Sequence, residues 1–331
     1  MSLIVEIKML DFPLHLNNEE IPPLAMALGY FDGVHQGHRQ VILEAKRNAK
    51  KLGLKSAVMT FDPHPSVVLK KSGTHMQSIT PLSEKIEIIA DLGIDYLFIV
   101  HFTADFANLL PQEFVDQFLI GLNVKHVVAG FDYTYGRMGK GTMETLTFHS
   151  REQFTFTTVP KFTCGDEKVS STWIRKLLNE GETEQLSQLL GRYYTTSGIV
   201  VHGDKRGRTI GFPTANVELN EEYIVPPVGV YAARLKVKGK WYNGVCNLGY
   251  KPTFKNEAAA KPSIEVHLFD FNRDIYGEKV QVEWHRYLRK EQKFSGIDEL
   301  VAQIEKDKQN AIDYFQENHL PKSSLFLRND G

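Results

Sequence analysis

Cysteine is scarce: Cys164 and Cys246 are the only two in 331 residues. They lie too far apart to make a metal-type pair and are too few for a disulfide framework. Excess charge of either sign is missing as well. Lys and Arg number 39 against 40 Asp and Glu, a formal net charge of −1. Bulk attraction to nucleic acid or to an anionic lipid surface is therefore not supported, and an anionic ligand must be met by a local cluster of positive groups. No apolar run approaches the ~20 residues that span a bilayer. The start, Met1-Ser2-Leu3-Ile4-Val5, has no basic stretch followed by a long apolar run, so no secretion signal and a reducing, cytoplasmic setting are expected. Internal repeats and low-complexity tracts are also lacking. What is present is ordinary globular composition, 42% hydrophobic and 24% charged. At ~100–200 residues per domain, the length fits two domains.

The first half alternates short apolar runs with helix-like stretches. Strands are expected at Leu24–Leu28, Ser56–Phe61, Tyr96–Val100, Lys125–Ala129 and Phe154–Val159. Between them, His38–Lys51 places Val41, Ile42, Ala45 and Ala49 on one helical face, and Leu82–Asp91 and Pro111–Ile120 read similarly. Apolar strands separated by helices predict a parallel sheet covered on both faces, with ligands at the carboxyl ends of the strands. Val169–Leu190 reads as helix broken at Gly181. After Gly191, strand-like runs at Tyr193–Val201, Val228–Val237, Lys240–Leu248, Ser263–Phe269 and Lys279–Trp284 are closely punctuated by Gly, Pro and Asn. Lys238-Gly239 between two of them predicts a hairpin. This texture predicts a closed or nearly closed β-barrel, followed by an amphipathic helix over Ile297–Phe315 and a frayed polar tail after Asn318. The fold class is thus α/β, a Rossmann-like parallel sheet followed by a β-barrel with a terminal helix. The domains are expected at residues 1–182 and 183–331.

The run Gly29-Tyr30-Phe31-Asp32-Gly33-Val34-His35-Gln36-Gly37-His38 joins an apolar strand to a helix. Glycines let the backbone turn sharply and approach a ligand, and a helix start offers unpaired N–H groups to an anion. His35 and His38, three apart, can share one side of the first turn. Imidazolium donors there suit phosphate oxygens and the charge on a leaving pyrophosphate. No Walker A lysine follows, which points from a P-loop kinase towards attack at an α-phosphate. Two histidines that only cap a helix are the plain alternative. A metal site is poorer still, for want of a third ligand at characteristic spacing.

This ten-residue run resembles the signature of the FMN adenylyltransferase module of bacterial bifunctional FAD synthetases, a variant of the His-x-Gly-His element of nucleotidyltransferases. The resemblance implies catalytic roles for His35 and His38 and ATP contacts at Gly29, Phe31, Asp32 and Gly37. Phe61-Asp62-Pro63-His64-Pro65 matches the family's second element, so Asp62 and His64 are expected near the flavin. Gly130-Phe131-Asp132-Tyr133-Thr134-Tyr135-Gly136 follows another strand. The family usually carries phenylalanines where Tyr133 and Tyr135 stand here. Asp132 and both tyrosines are expected on the flavin, the rings by stacking, with core packing as the alternative for the tyrosines. Val169-Ser170-Ser171-Thr172-Trp173-Ile174-Arg175 opens a helix, where a hydroxyl is often only an N-cap. By resemblance Ser171, Thr172 and Arg175 meet ATP phosphates.

A second run, Gly203 to Asn216, begins with glycines and a cluster of three positive charges against one negative. Backbone N–H groups of such a loop can wrap phosphates; an exposed basic loop is the plain alternative. Thr214 and Asn216, two apart, face one side of an extended segment, and neutral oxygens suit magnesium on nucleotide phosphates. Gly211-Phe212-Pro213-Thr214-Ala215-Asn216 resembles the core of the riboflavin kinase signature. Further matches are Asn247-Leu248-Gly249, Pro252-Thr253-Phe254, Ser263 to His267, Tyr276-Gly277 and Leu288-Arg289. The resemblance implies ATP contacts at Gly203, Lys205, Gly207 and Arg208, Mg2+ on Thr214 and Asn216, Arg289 on the flavin, and Glu265 as the base for the flavin's ribityl hydroxyl. His267 reads as structural. Together the two signatures imply ATP-dependent conversion of riboflavin to FMN and of FMN to FAD, by a monomer or weak homo-oligomer with no nucleic-acid or membrane partner. The alternatives are the same architecture with one activity retained, or a non-catalytic flavin-sensing or nucleic-acid-regulating protein, against the second of which the near-zero net charge argues.

Overall fold

The apolar runs of the first half form one parallel sheet. The computed structural model describes residues 5–15, 21–69, 77–203, 206–250 and 262–318; Lys205, Pro252-Thr253-Phe254 and the tail after Asn318 lie outside them. The chain divides between Ser171 and Thr172 into two units. In the first, β1 (Glu6–Leu10), β2 (Leu24–Leu28), α1 (Gln36–Leu52), β3 (Lys55–Asp62), α2 (Leu82–Asp91) and β4 (Tyr96–His101) come in that order. They are followed by α3 (Pro111–Phe114), β5 (Val124–Gly130) and β6 (Thr155–Val159). The strands lie in the order β1-β4-β3-β2-β5-β6, all parallel. Every residue of β2 is buried, as a central strand covered on both faces requires. On one face Ala27 and Val58 meet Ile42 and Ala45 of α1. On the other, Met26, Leu28 and Val127 meet Phe114 and Phe118. Phe118 belongs to the π-helical stretch Val115–Ile120 that continues α3. The chain runs outward from β2 through β3 and β4, then returns to the other side of β2 as β5. The loops after β2 and β5 therefore part around a crevice at the carboxyl edge, where open α/β sheets hold ligands.

The second unit carries α4 (Ser171–Glu180, whose first residue belongs to the first unit), β7 (Tyr194–Val201), β8 (Ala215–Leu219), β9 (Gly229–Val237) and β10 (Lys240–Tyr250). Then come β11 (Pro262–Leu268), β12 (Lys279–Arg289) and α5 (Ile297–Glu317). The six strands close into a barrel in the order β7-β8-β11-β10-β9-β12, sealed where Tyr194 to Ile199 of β7 pair with Trp284 to Lys279 of β12. Tyr231 and Trp284 meet edge to face in its core, ring centroids 5.3 Å apart. Lys238 and Gly239 turn the β9–β10 hairpin with φ of 48° and 80°, the two positive values that a type I′ turn needs. Helix α5 lays Ala311, Tyr314 and Phe315 on Val230, Ala232 and Val245.

Candidate functional sites

The first signature sits at the crevice. Phe31 and Val34 turn with φ of 57° and 39°, costly for side chains of that size unless the surroundings hold them. A Cβ on Gly29 would lie 2.6 Å from the Phe31 ring, and that ring is buried, so only glycine fits there. His35 caps α1: its Nδ1 accepts the His38 N–H at 3.2 Å. The two imidazoles stack, centroids 3.5 Å apart and 18° from parallel. The capping role is therefore real, and it orders the pair. Burial first, then the positive charges of His35, Lys85 and Lys168, hold the His38 imidazole well below its ordinary range. His38 is neutral at pH 7 as a result, and its enclosed Nδ1 has no hydrogen-bond partner among the described residues.

A cavity of about 970 Å³ opens beside it. Gly29, Phe31, Gly37 and His38 form one wall, and Asp132, Tyr133 and Tyr135 another. Tyr135 also belongs to the core, and its hydroxyl bonds His149 Nδ1 at 2.8 Å, so packing accounts for it as well as any ligand does. Burial raises the Tyr133 hydroxyl above its ordinary range and keeps it protonated. Lys168 lines the same cavity, paired with Asp132 and 4.6 Å over the Phe131 ring.

Not every expected residue is on the wall. Asp32 stands behind it: its Oδ1 accepts the N–H groups of Ile79 and Thr80 at 3.1 and 3.2 Å, and its carbonyl accepts the Ser171 hydroxyl at 2.9 Å. Here Asp32 and Ser171 brace the loop. Asp62 ends β3. His64 follows, edge-on to the Tyr30 ring at 4.1 Å, with Nδ1 accepting the Ser66 N–H. Neither Asp62 nor His64 lines the cavity, although their neighbours Phe61 and Pro65 do. Thr172 and Arg175 lie at the start of α4.

The second signature meets a second cavity, of about 560 Å³, between one barrel face and α5. Strand register lays out one row of residues on this side of the barrel, of which Val230, Asn247, Glu265 and Arg289 line the cavity and Asn216 does not. Asn216 pairs with Glu265, Glu265 with Asn247, Asn247 with Val230, and Val230 with Arg289. Directly opposed residues point to the same side of a sheet, so this one row crosses β8, β11, β10, β9 and β12. Ile264, Val266 and Leu268 take the buried side of β11, as their alternation predicts. Gly207, Thr214, Glu265 and Arg289 all line the cavity. Arg208 is exposed. Gly203 and Asn216 are close neighbours, since a Cβ on Gly203 would fall 2.3 Å from the Asn216 amide. The Ser263 hydroxyl donates to Glu265 Oε1 at 3.2 Å. His267 Nδ1 donates to the Pro213 carbonyl at 2.9 Å, a structural bond that fixes the signature loop.

Arg289 reaches this wall already engaged. Its Nε and Nη2 bond the Asp307 carboxylate at 2.7 to 3.0 Å. Asp307 is a residue that sequence reasoning missed; its signal was a carboxylate on the inward side of an otherwise apolar helical stripe. Asn247 was matched within its signature element but given no role, because only the strand register places it beside Glu265. Lys85, buried on α2, gave no motif signal.

The FAD synthetase family profile matches residues 17–173, and the riboflavin kinase profile matches residues 190–315. The bifunctional riboflavin kinase/FMN adenylyltransferase of Bacillus subtilis is 55% identical over 92% of this chain and 96% of its own. The Escherichia coli K12 protein of the same name is 38% identical over 88% and 92%. A solved Streptococcus pneumoniae structure, described as a macrolide-efflux protein, covers 91% of this chain and 96% of its own at 34% identity and TM-score 0.82. Among the described residues no helix is long and apolar enough to cross a membrane. With both profiles in their expected order and curated relatives alike over nearly the whole chain, the protein belongs to the family of bifunctional riboflavin kinase/FMN adenylyltransferases.

Proposed function

We propose that each reaction occurs at the cavity its own signature lines: AMP transfer to FMN in the sheet unit, and phosphorylation of riboflavin on the barrel. The observation that carries this reading is that the two signatures line two separate cavities, one within each unit. As functional domains we propose residues 1–182 and 183–331, which keep α4 with the loop that Ser171 bonds.

In the first reaction a phosphate oxygen of FMN attacks the α-phosphorus of ATP, the α–β bridging bond breaks, and pyrophosphate leaves. Burial keeps the His38 imidazole neutral; anionic phosphates favour its protonation, and the imidazolium then stabilises the departing charge. Gly29, Gly37 and the start of α1 offer close backbone approach to phosphate. Asp132, Tyr133 and Tyr135 wall a space suited to a planar ring. In the second reaction the ribityl hydroxyl gives its proton to Glu265 as its oxygen attacks the γ-phosphorus, and ADP leaves. The Ser263 hydroxyl donates to Glu265 Oε1 and orients the carboxylate for this step.

Magnesium belongs to the same proposal. Thr214 and Asn216 offer neutral oxygens near the Glu265 carboxylate, and Gly203, lacking a Cβ, lets the Asn216 amide pack against its backbone. That donor set fits a hard cation that keeps several waters. When bound, the ion neutralises phosphate charge. A cytoplasmic setting and a monomer or weak homo-oligomer complete the proposal.

Incubation with riboflavin and MgATP, followed by separation of the flavins, tests it. His38→Ala is expected to stop FAD formation and spare FMN. Glu265→Ala is expected to stop FMN formation and spare FAD when FMN is supplied. Loss of both activities in either folded variant refutes separate sites. The two tyrosines in the first cavity motivate a second reading, kinase activity alone, for which wild-type protein would accumulate FMN without FAD.

A further inference from the structure

A buried ammonium lies beneath the first signature. Lys85 on α2 is 2% exposed. Its Nζ donates to the Tyr30 carbonyl at 3.0 Å and sits 3.9 Å from the centroid of the Tyr30 ring. The same carbonyl accepts the Thr60 hydroxyl at 2.8 Å. Tyr30 is the residue between Gly29 and the strained Phe31, and it lines the cavity. A lysine taken out of water is costly unless its charge is fully paired and hydrogen-bonded, and here burial outweighs its favourable neighbours. Met or Leu would pack such a position without that cost.

The charges around Lys85 come from several elements. Asp32 follows β2, and Asp62 ends β3; both favour the ammonium, while burial opposes it more strongly and brings it down to about 8. His38 on α1 feels the ammonium as a repelling charge. Glu84, the preceding residue on α2, is also buried. Lys85 thus joins the first and second sequence signatures and the catalytic histidine through one group that none of these motifs contains.

We propose that Lys85 is a positioning residue for polyphosphate in the adenylyltransferase cavity, holding the Tyr30 turn and supplying fixed positive charge beneath it. This rests on that cavity being the site of AMP transfer. An uncharged amine would hold the turn less firmly and attract phosphate less, so binding of ATP should weaken as Lys85 loses its proton. A polyphosphate in the cavity should in turn raise the proton affinity of Lys85 and draw a proton in on binding.

The test is FMN adenylylation by the full chain, with the KM for ATP followed from about pH 7 to 9.5, where an amine near 8 titrates. Wild-type protein is expected to show a rising KM across this interval. Lys85→Met is expected to show a KM already raised on the order of tenfold at pH 7, the scale of one charge acting across several ångströms at an effective dielectric near 20, and flat thereafter. A Lys85→Met enzyme with wild-type KM and wild-type pH dependence overturns the proposal. So does one with reduced kcat and melting temperature but an unchanged KM, which is plain bracing. Should Lys85→Met not fold, the wild-type profile decides alone, since a flat KM there overturns the proposal. His38→Ala separates the two levels: if it leaves adenylylation intact, the cavity assignment itself fails, whereas loss in His38→Ala with no effect of Lys85→Met rejects only the role of Lys85.

Discussion

Replacing Asp307 by leucine isolates the ion pair under the barrel cavity. The carboxylate is 3% exposed and its partner Arg289 is 20% exposed. It accepts from Arg289 Nε and Nη2 and from Gln303 Nε2 at 2.7 to 3.0 Å. Removing one member of a fully buried pair costs about 3–5 kcal/mol, because the other charge is left without compensation. Arg289 keeps some solvent and a bond from Nη1 to the Lys290 carbonyl, so the cost falls below that range, about 2–3 kcal/mol. For a domain of this size that is a fall in melting temperature of roughly 5–10 °C. Since Arg289 lines the cavity, the KM for riboflavin should rise in the kinase assay while adenylylation of supplied FMN is unchanged. The double variant Arg289→Met/Asp307→Leu should recover most of the lost stability, because both charges are gone. Calorimetry of the two singles and the double closes the cycle. An Asp307→Leu protein within about 0.5 kcal/mol of wild type, the range of an ordinary surface change, or a double variant as unstable as the sum of its singles, would refute the reasoning.

Gly203→Ala should push the buried Asn216 amide out of place, since the added carbon falls 2.3 Å from it; riboflavin phosphorylation should drop at least about tenfold, one misplaced ligand being enough for such a loss, and an alanine enzyme with full kinase activity would count against Asn216. Acid should destabilise the fold before the carboxylates titrate: burial lowers the affinity of His38, His126 and His285 for protons, so the unfolded chain binds more protons below about pH 6.5 and stability falls as pH drops through that value. Urea midpoints at about pH 8 and pH 5 check this, and a midpoint unchanged or higher in acid contradicts it.

Local pattern revealed much of this architecture. Leu24–Leu28 and Leu82–Asp91 agree with β2 and α2 end to end, and most other strands agree within a residue or two, because near-continuous apolar runs have few other uses. The expectation for Lys279–Trp284 stopped short of Arg289, since Arg286 and Arg289 carry charge into the strand that partners on other elements satisfy. β1 went unseen because Ile7 and Met9 are exposed on an edge strand, where alternation carries little information. β8 was read only as an extended stretch of the signature. The helix expected over Pro111–Ile120 is α-helical at its start and π-helical from Val115, a hydrogen-bonding shift that side-chain periodicity does not encode. The signature residues were legible; their division of labour was not. Whether Asp32 touches a ligand or holds Ile79 and Thr80 depends on a loop 47 residues away, and whether Arg289 is free depends on Asp307. Such answers reside in long-range pairing.

The strut between the Ser171 hydroxyl and the Asp32 carbonyl spans 139 positions of sequence, and it sets the order of assembly during synthesis. The loop around Asp32 is among the first parts of its unit to leave the ribosome. It receives its last support only when the opening of α4 has emerged, long after the strand that precedes it. A nascent chain halted short of that helix would carry the whole nucleotide signature without the finished cradle, so AMP transfer is the property of a completed unit and not of the segment that bears its motif.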